Sequence, residues 1–189
     1  MAESFRKLDE KVVYAGRLIT TAEASFADPE GQTFEREVVH HPGAVSVVAV
    51  GEGGTVVLVR QFRAAVAQEL LEIPAGKRDV DGEPPEVTAA RELEEEVGMR
   101  AGRLQELVRF YNSPGFSDEH SIIFLALELE PCDSAVQGVE ERHMTVERVP
   151  LSDVPRLIAT GELVDAKSII GLTLARQALG AGGGGATTG

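Results

Sequence analysis

Residues Gly76–Met99 read GKRDVDGEPPEVTAARELEEEVGM, a turn-rich lead followed by a strongly acidic segment. Gly76, Asp79, Asp81 and Gly82 favour turns. Pro84-Pro85 stands where a helix would begin, and Gly98 suits a left-handed stop after it. The predicted helix, from about Pro85 to Val97, carries Glu92, Glu94, Glu95 and Glu96 within five residues. Like charges three or four positions apart cost about 0.2–0.5 kcal/mol per pair, so stability alone does not explain this run. A bound multivalent cation is the simplest remedy. At ~100° per residue, Val87, Ala90, Leu93 and Val97 form the expected core stripe. Glu92, Glu95 and Glu96 then gather on roughly the opposite side, with Glu94 near the stripe's edge. Glu92 and Glu96 lie one turn apart, and hard divalent cations such as Mg²⁺ take oxygen ligands of this kind.

The rest of the composition bounds what such a site serves. A chain of 189 residues with 43% hydrophobic content is globular and fits one domain with a small appendage. The net charge of −13 argues against a nucleic-acid binder or a binder of anionic membranes. It does not oppose a phosphorylated substrate where a metal supplies the local positive charge. The single cysteine, Cys132, forms no internal disulfide, and there is no Cys/His ligand cluster. The N-terminal MAESFRKLDEKVV lacks an apolar signal core, and no apolar run reaches 18 residues. The expectation is a soluble cytoplasmic protein.

Residues 10–26 and 33–40 read as strands, separated by an Asp28-Pro29-Glu30-Gly31 turn. This N-terminal β region, residues 1–41, has little core of its own and needs a packing partner, either the main domain or a second subunit. Ala44–Val50 (AVSVVAV) is a continuous apolar strand of the type buried on both faces. Further strands are expected at Thr55–Arg63, Leu104–Tyr111, Ser121–Glu130 and His143–Val149, with a short piece at Glu69–Ile73. Ser152 is the expected N-cap of a short helix, and Ala166–Leu179 an amphipathic terminal helix. The Gly-rich composition of residues 180–189 leads to the expectation of a flexible tail. One helix inserted mid-chain and others at the end predict an α/β sandwich with a mixed sheet between helical layers, spanning residues 42–179.

Gly76, Glu83, Arg91, Glu92, Leu93, Glu95, Glu96, Gly98 and Met99 together resemble the signature of the Nudix hydrolases. From Glu83 onward the spacing fits; six residues rather than the family's five separate Gly76 from Glu83. The resemblance implies the Nudix α/β/α sandwich and hydrolysis of the pyrophosphate bond in a nucleoside diphosphate linked to another group. It also implies Glu92, Glu95, Glu96 and the carbonyl of Ala75 as ligands to Mg²⁺, or Mn²⁺ in its place, with Arg91 orienting the carboxylates.

Substrate choice must come from elsewhere in the chain. Pro114, 15 residues after Met99 in Ser113-Pro114-Gly115-Phe116-Ser117-Asp118-Glu119, resembles the corresponding loop of the ADP-ribose pyrophosphatase subgroup. Gln61-Phe62-Arg63 and Glu72-Ile73-Pro74-Ala75-Gly76 resemble further segments of that group. The implied substrate contacts are Gln61, Arg63, Pro114, Gly115 and Phe116. The implied catalytic base is Glu140 or Glu141, which lie in a polar loop before a strand. Relatives in the subgroup are homodimers that exchange N-terminal strands, so a homodimer is expected here. The expected reaction is Mg²⁺-dependent hydrolysis of ADP-ribose to AMP and ribose 5-phosphate. A GDP-sugar such as GDP-mannose is the alternative substrate. A non-catalytic sensor of ADP-ribose or NAD metabolites fits less well, because the acidic run is intact and there is no basic segment.

Overall fold

The computed structural model describes residues 4–134 and 141–181. The chain divides into two compact units. Met1–Ala44 and Phe110–Ser121 contribute to the first, Val45–Arg109 and Ile122–Gly189 to the second.

In the first unit, β1 (Arg6–Ala15), β2 (Thr20–Ala27) and β3 (Thr33–His40) form an antiparallel sheet in that order. The single strand expected over residues 10–26 is therefore two strands. The chain reverses at Gly16, whose amide donates to the Ile19 carbonyl at 2.9 Å. A Cβ at Gly16 would fall 2.8 Å from the Tyr14 ring, so a larger residue in this turn would push that exposed ring aside. The Asp28–Gly31 turn forms as its residues dictate: the Asp28 carboxylate accepts from the amides of Glu30 (3.0 Å) and Gln32 (2.8 Å), and Gly31 takes φ +87°. Phe26 and Phe34 stack with ring centroids 5.6 Å apart, Phe5 meets Phe34 edge-on, and the Arg36 guanidinium lies 4.8 Å from the Phe34 centroid. Ala22, Ala24 and Ala27 are buried, whereas Leu8, Val12, Val13 and Tyr14 of β1 are exposed.

The second unit is built on a mixed sheet. Its strands are β4 (Ala44–Val50), β5 (Thr55–Arg63), β6 (Gln68–Glu72), β7 (Ala75–Lys77), β8 (Met99–Tyr111), β9 (His120–Pro131) and β10 (Thr145–Pro150). The spatial order is β10-β5-β4-β9-β8, with β6 paired to β5 and β7 to β4. Side chains alternate across this sheet. Val45, Val47, Val57, Val59, Ile122 and Phe124 pack with Ala89, Leu93 and Val97 of helix α1 (Pro85–Val97). The intervening Val48 and Ile123 face the terminal helix α3 (Ala166–Ala181). There Gly171 comes so close that an added Cβ would lie 3.0 Å from Val48 and 3.1 Å from Ile123. Helices therefore cover both faces, the sandwich that the alternation of apolar strand and amphipathic helix predicts.

Helix α1 begins at Pro85, after Pro84 in an extended conformation, and ends at Gly98 with φ +63°. The Gly98 amide closes the last turn on the Glu94 carbonyl at 3.0 Å. Two expectations are corrected. Val87 is 48% exposed and Ala90 half-buried, so the core face centres on Thr88, Ala89, Leu93, Glu96 and Val97 instead. Glu96 thus belongs to the buried side, and the acidic arc Glu95–Glu92–Glu96 runs from solvent into the core edge. Ser152 caps no helix: its hydroxyl bonds the Asp153 carboxylate, and α2 (Val154–Ala159) begins beyond a 3₁₀ turn at Leu151–Asp153. Replacing the fully buried Leu93 by Ala is expected to destabilise the fold by about 2–5 kcal/mol, read as a lower urea midpoint with an unchanged slope.

Candidate functional site

Three acids, Glu92 and Glu95 of helix α1 and Glu83 just before it, meet one cation. Arg91 donates from one terminal nitrogen to Glu92 Oε1 (3.0 Å) and Glu95 Oε2 (3.4 Å), and from the other to Glu83 Oε2 (3.3 Å). Glu83 also accepts the Thr88 hydroxyl at 2.7 Å. The hydroxyl bond is the largest influence holding the Glu83 carboxyl below its usual range, with Arg91 adding to it. Burial pulls the Arg91 guanidinium down, but the Glu83 hydrogen bond and the charges of Glu92, Glu83 and Glu95 raise it on balance. The extra residue between Gly76 and Glu83 therefore leaves Glu83 beside the helix. Glu94 pairs with Arg100 across one guanidinium edge, Nε and a terminal nitrogen donating to its two oxygens (2.9 and 3.1 Å), apart from this cluster.

Glu96, 6% exposed, accepts the Ala75 amide at 3.1 Å. That bond fixes the turn between Pro74 and Gly76 against the helix, while the neighbouring Pro74 carbonyl accepts from Val47 of β4. Glu92 lies over Gly76 so closely that a Cβ there would be 1.9 Å from the Glu92 carboxyl carbon. Only glycine leaves that space. This cradle, the backbone turn at Ala75 and the three carboxylates supply hard oxygen donors suited to a divalent cation. Among the described residues, no three carboxylate, His or Cys side chains already converge in ligating geometry. Arg91 and the Ala75 amide occupy the same acids.

Arg63 is not directed outward as a lone strand-end cation. It forms a two-pronged pair with Glu72 (2.8 and 2.6 Å), and Glu72 is 1% exposed. Lys167 of α3 donates to the same Glu72 carboxylate and lies 2.9 Å from Asp165. Asp165 in turn accepts the amide and hydroxyl of Ser168 at 2.9 and 2.5 Å, and the Ser168 hydroxyl accepts the Ile73 amide at 2.8 Å. Burial alone would raise the Glu72 carboxyl, but the Arg63 hydrogen bond and the nearby Lys167 charge bring it below its ordinary value. The sequence reading gave no role to Lys167, Asp165 or Ser168, which stand about 95 residues from Glu72 and Ile73 and share no local pattern with them. Gln61, on the α1-facing side of β5, is buried, and its side-chain nitrogen has no hydrogen-bond partner among the described residues.

Pro114, Gly115 and Phe116 belong to the first unit, where they line a cavity of about 470 Å³ with Phe5, Phe26 and Phe34. Glu140 lies outside the described residues; Glu141 begins a 3₁₀ turn, Glu141–His143, ahead of β10.

Gly76→Ala is expected to displace Glu92 and, should Glu92 hold a metal, to lower hydrolytic turnover by about 10–100-fold. Circular dichroism would show the fold retained.

A NUDIX domain is matched over residues 40–170. The chain is 40% identical over 168 residues to the ADP-ribose pyrophosphatase of Bacillus subtilis (strain 168), covering 86% of this chain and 90% of that protein. It is 38% identical over 173 residues to the ADP-ribose pyrophosphatase of Mycobacterium tuberculosis (strain ATCC 25618 / H37Rv), covering 91% and 84%. A crystal structure described as an ADP compounds hydrolase superposes with a TM-score of 0.83 over 97% of this chain and 98% of that one; at 24% identity it attests the fold. With the family match spanning more than half of its length and relatives of this similarity along most of it, the chain belongs to the NUDIX family.

Proposed function

We propose that this enzyme hydrolyses the pyrophosphate bond of ADP-ribose to AMP and ribose 5-phosphate with Mg²⁺. The observation that carries the reading is the acidic arc of α1 drawn against the Ala75–Gly76 turn, in a chain that is similar over most of its length to two ADP-ribose pyrophosphatases. NUDIX hydrolases generally use a divalent metal, and the oxygen-only donor set here fits Mg²⁺.

Glu92, Glu95, Glu96 and the Ala75 carbonyl would hold the ion. Bound there, it supplies charge neutralisation for the diphosphate and lowers the pKa of a coordinated water. The protein's own contribution is position. Arg91 restrains the Glu92 and Glu95 rotamers, and offsets their mutual repulsion when no cation is present. Glu96, buried and tied to the Ala75 amide, sets the distance between helix and turn. Glu140 or Glu141 is the base that orients the attacking water. Arg63, preset by Glu72, keeps one guanidinium nitrogen outside that ion pair to meet a phosphate oxygen. Gln61 donates to the substrate from β5, and Pro114, Gly115 and Phe116 contact the nucleotide. The exposed apolar residues of β1 are covered by a second copy of the chain in a homodimer.

Two outcomes test this reading. In a panel with Mg²⁺, ADP-ribose is expected to give the highest kcat/KM; a GDP-sugar, NADH or a nucleoside triphosphate turned over far faster would overturn the substrate assignment. Glu96→Gln, which keeps an oxygen for the Ala75 amide, is expected to lose orders of magnitude in kcat while melting near the wild-type temperature. Near-normal turnover would remove Glu96 from the metal site.

A further inference from the structure

The loop that holds Pro114–Phe116 is tied to β3 by backbone bonds and by the Asp118 carboxylate, which a histidine grips. His40, the last residue of β3, places Nδ1 2.6 Å from Asp118 Oδ2 and Nε2 3.1 Å from Glu10 Oε2. Asp118 also accepts the His41 amide through Oδ1 at 2.9 Å. Two backbone bonds run alongside: the Val39 amide donates to the Phe116 carbonyl at 2.8 Å, and the Asp118 amide to the Val39 carbonyl at 3.1 Å. The loop is thereby added to β3 as a one-residue parallel bridge at Ser117. A single bridge lacks the cooperativity of a ladder, so the side-chain clamp beside it decides how firmly the loop is held.

We propose that His40, gripped between Asp118 and Glu10, is a positioning residue that fixes the Pro114–Phe116 loop on β3 and so makes substrate affinity depend on its protonation. This inference rests on the reading of that loop as a substrate contact. A neutral imidazole has one N–H and satisfies one carboxylate; the imidazolium donates to both. Its surroundings favour the charged form. The Asp118 hydrogen bond, then that of Glu10, raises the imidazole above its ordinary value of 6.5 against the opposing effect of burial. Lys7 lies 2.5 Å from Glu10 and competes for that carboxylate, which is held below its usual range by Lys7 first and His40 second. His41 stands 4.0 Å from Glu119, and His120 lies against Gly43. Because the folded pKa of His40 is raised, its contribution is fully present below about 6.5 and is lost as pH rises through the folded value.

The test joins hydrogen exchange with kinetics across pH 6–9 in the full chain. In the wild type, protection of the Asp118 and Val39 amides, corrected for intrinsic exchange, is expected to fall as the His40 ring resonances titrate. KM for ADP-ribose is expected to rise several-fold over the same interval. His40→Asn is expected to show the weak protection and high KM at every pH, converging with the wild type at the alkaline end, and Asp118→Asn to behave likewise should the first variant fold poorly. Protection and KM that ignore His40 titration in the wild type, or variants whose pH profiles superimpose on it, would overturn the proposal. Failure of the substrate assignment is separable: the wild type would then leave ADP-ribose intact while the exchange signature persisted.

Discussion

The interaction on which the second unit's chemistry depends is the repulsion among Glu92, Glu95 and Glu96, and the way the surrounding chain contains it. Three carboxylates within two turns of helix would splay apart if left alone. Here Arg91 spans Glu83, Glu92 and Glu95, and Glu96 turns inward to accept the Ala75 amide. The helix carrying them is anchored by Ala89, Leu93 and Val97 against an apolar sheet face, so packing energy holds the charges in place. Gly76 completes the arrangement by withdrawing the one carbon atom that would collide with Glu92. A cation at the acids would take over part of the neutralisation that Arg91 provides in its absence.

A second ionic assembly stands at the edge of the same sheet, and its logic differs. Glu72 is nearly inaccessible, a position tolerable for a carboxylate only when it is paired. Arg63 and Lys167 meet that need from β5 and α3, and Ser168 links the assembly to the Ile73 amide, two residues before the Ala75 turn. The carboxylate is depressed in the fold, so its contribution to stability is present above its unfolded value near 4.5 and is lost as pH falls through the lower folded value. The assembly ties the terminal helix to the strand leading into the acidic site.

Much of this was legible in the sequence because it is local. Pro84-Pro85 and Gly98 mark the ends of α1, the acidic run marks its chemistry, and Ala44–Val50 reads as a doubly covered strand. The rotation of α1 was not legible to the same degree. Val87 and Ala89 are both apolar, and local pattern does not decide between them; in the fold Ala89 is buried, Val87 is exposed and Glu96 lies on the buried side. The break within residues 10–26 turned on one glycine inside a run of strand formers. The contacts of Lys167 with Glu72, and of His40 with Asp118, join residues 95 and 78 positions apart, where no periodicity speaks. Proximity across such separations belongs to the fold.

The arc of α1, together with the Ala75 turn, is the proposed divalent-cation site for pyrophosphate hydrolysis. Anomalous diffraction from crystals grown with Mn²⁺ and a non-hydrolysable ADP-ribose analogue tests it most directly. The account predicts manganese peaks within ligating distance of Glu92, Glu96 and the Ala75 carbonyl, bridging to the diphosphate. Peaks elsewhere, or a diphosphate bound with no metal at these residues, would contradict it.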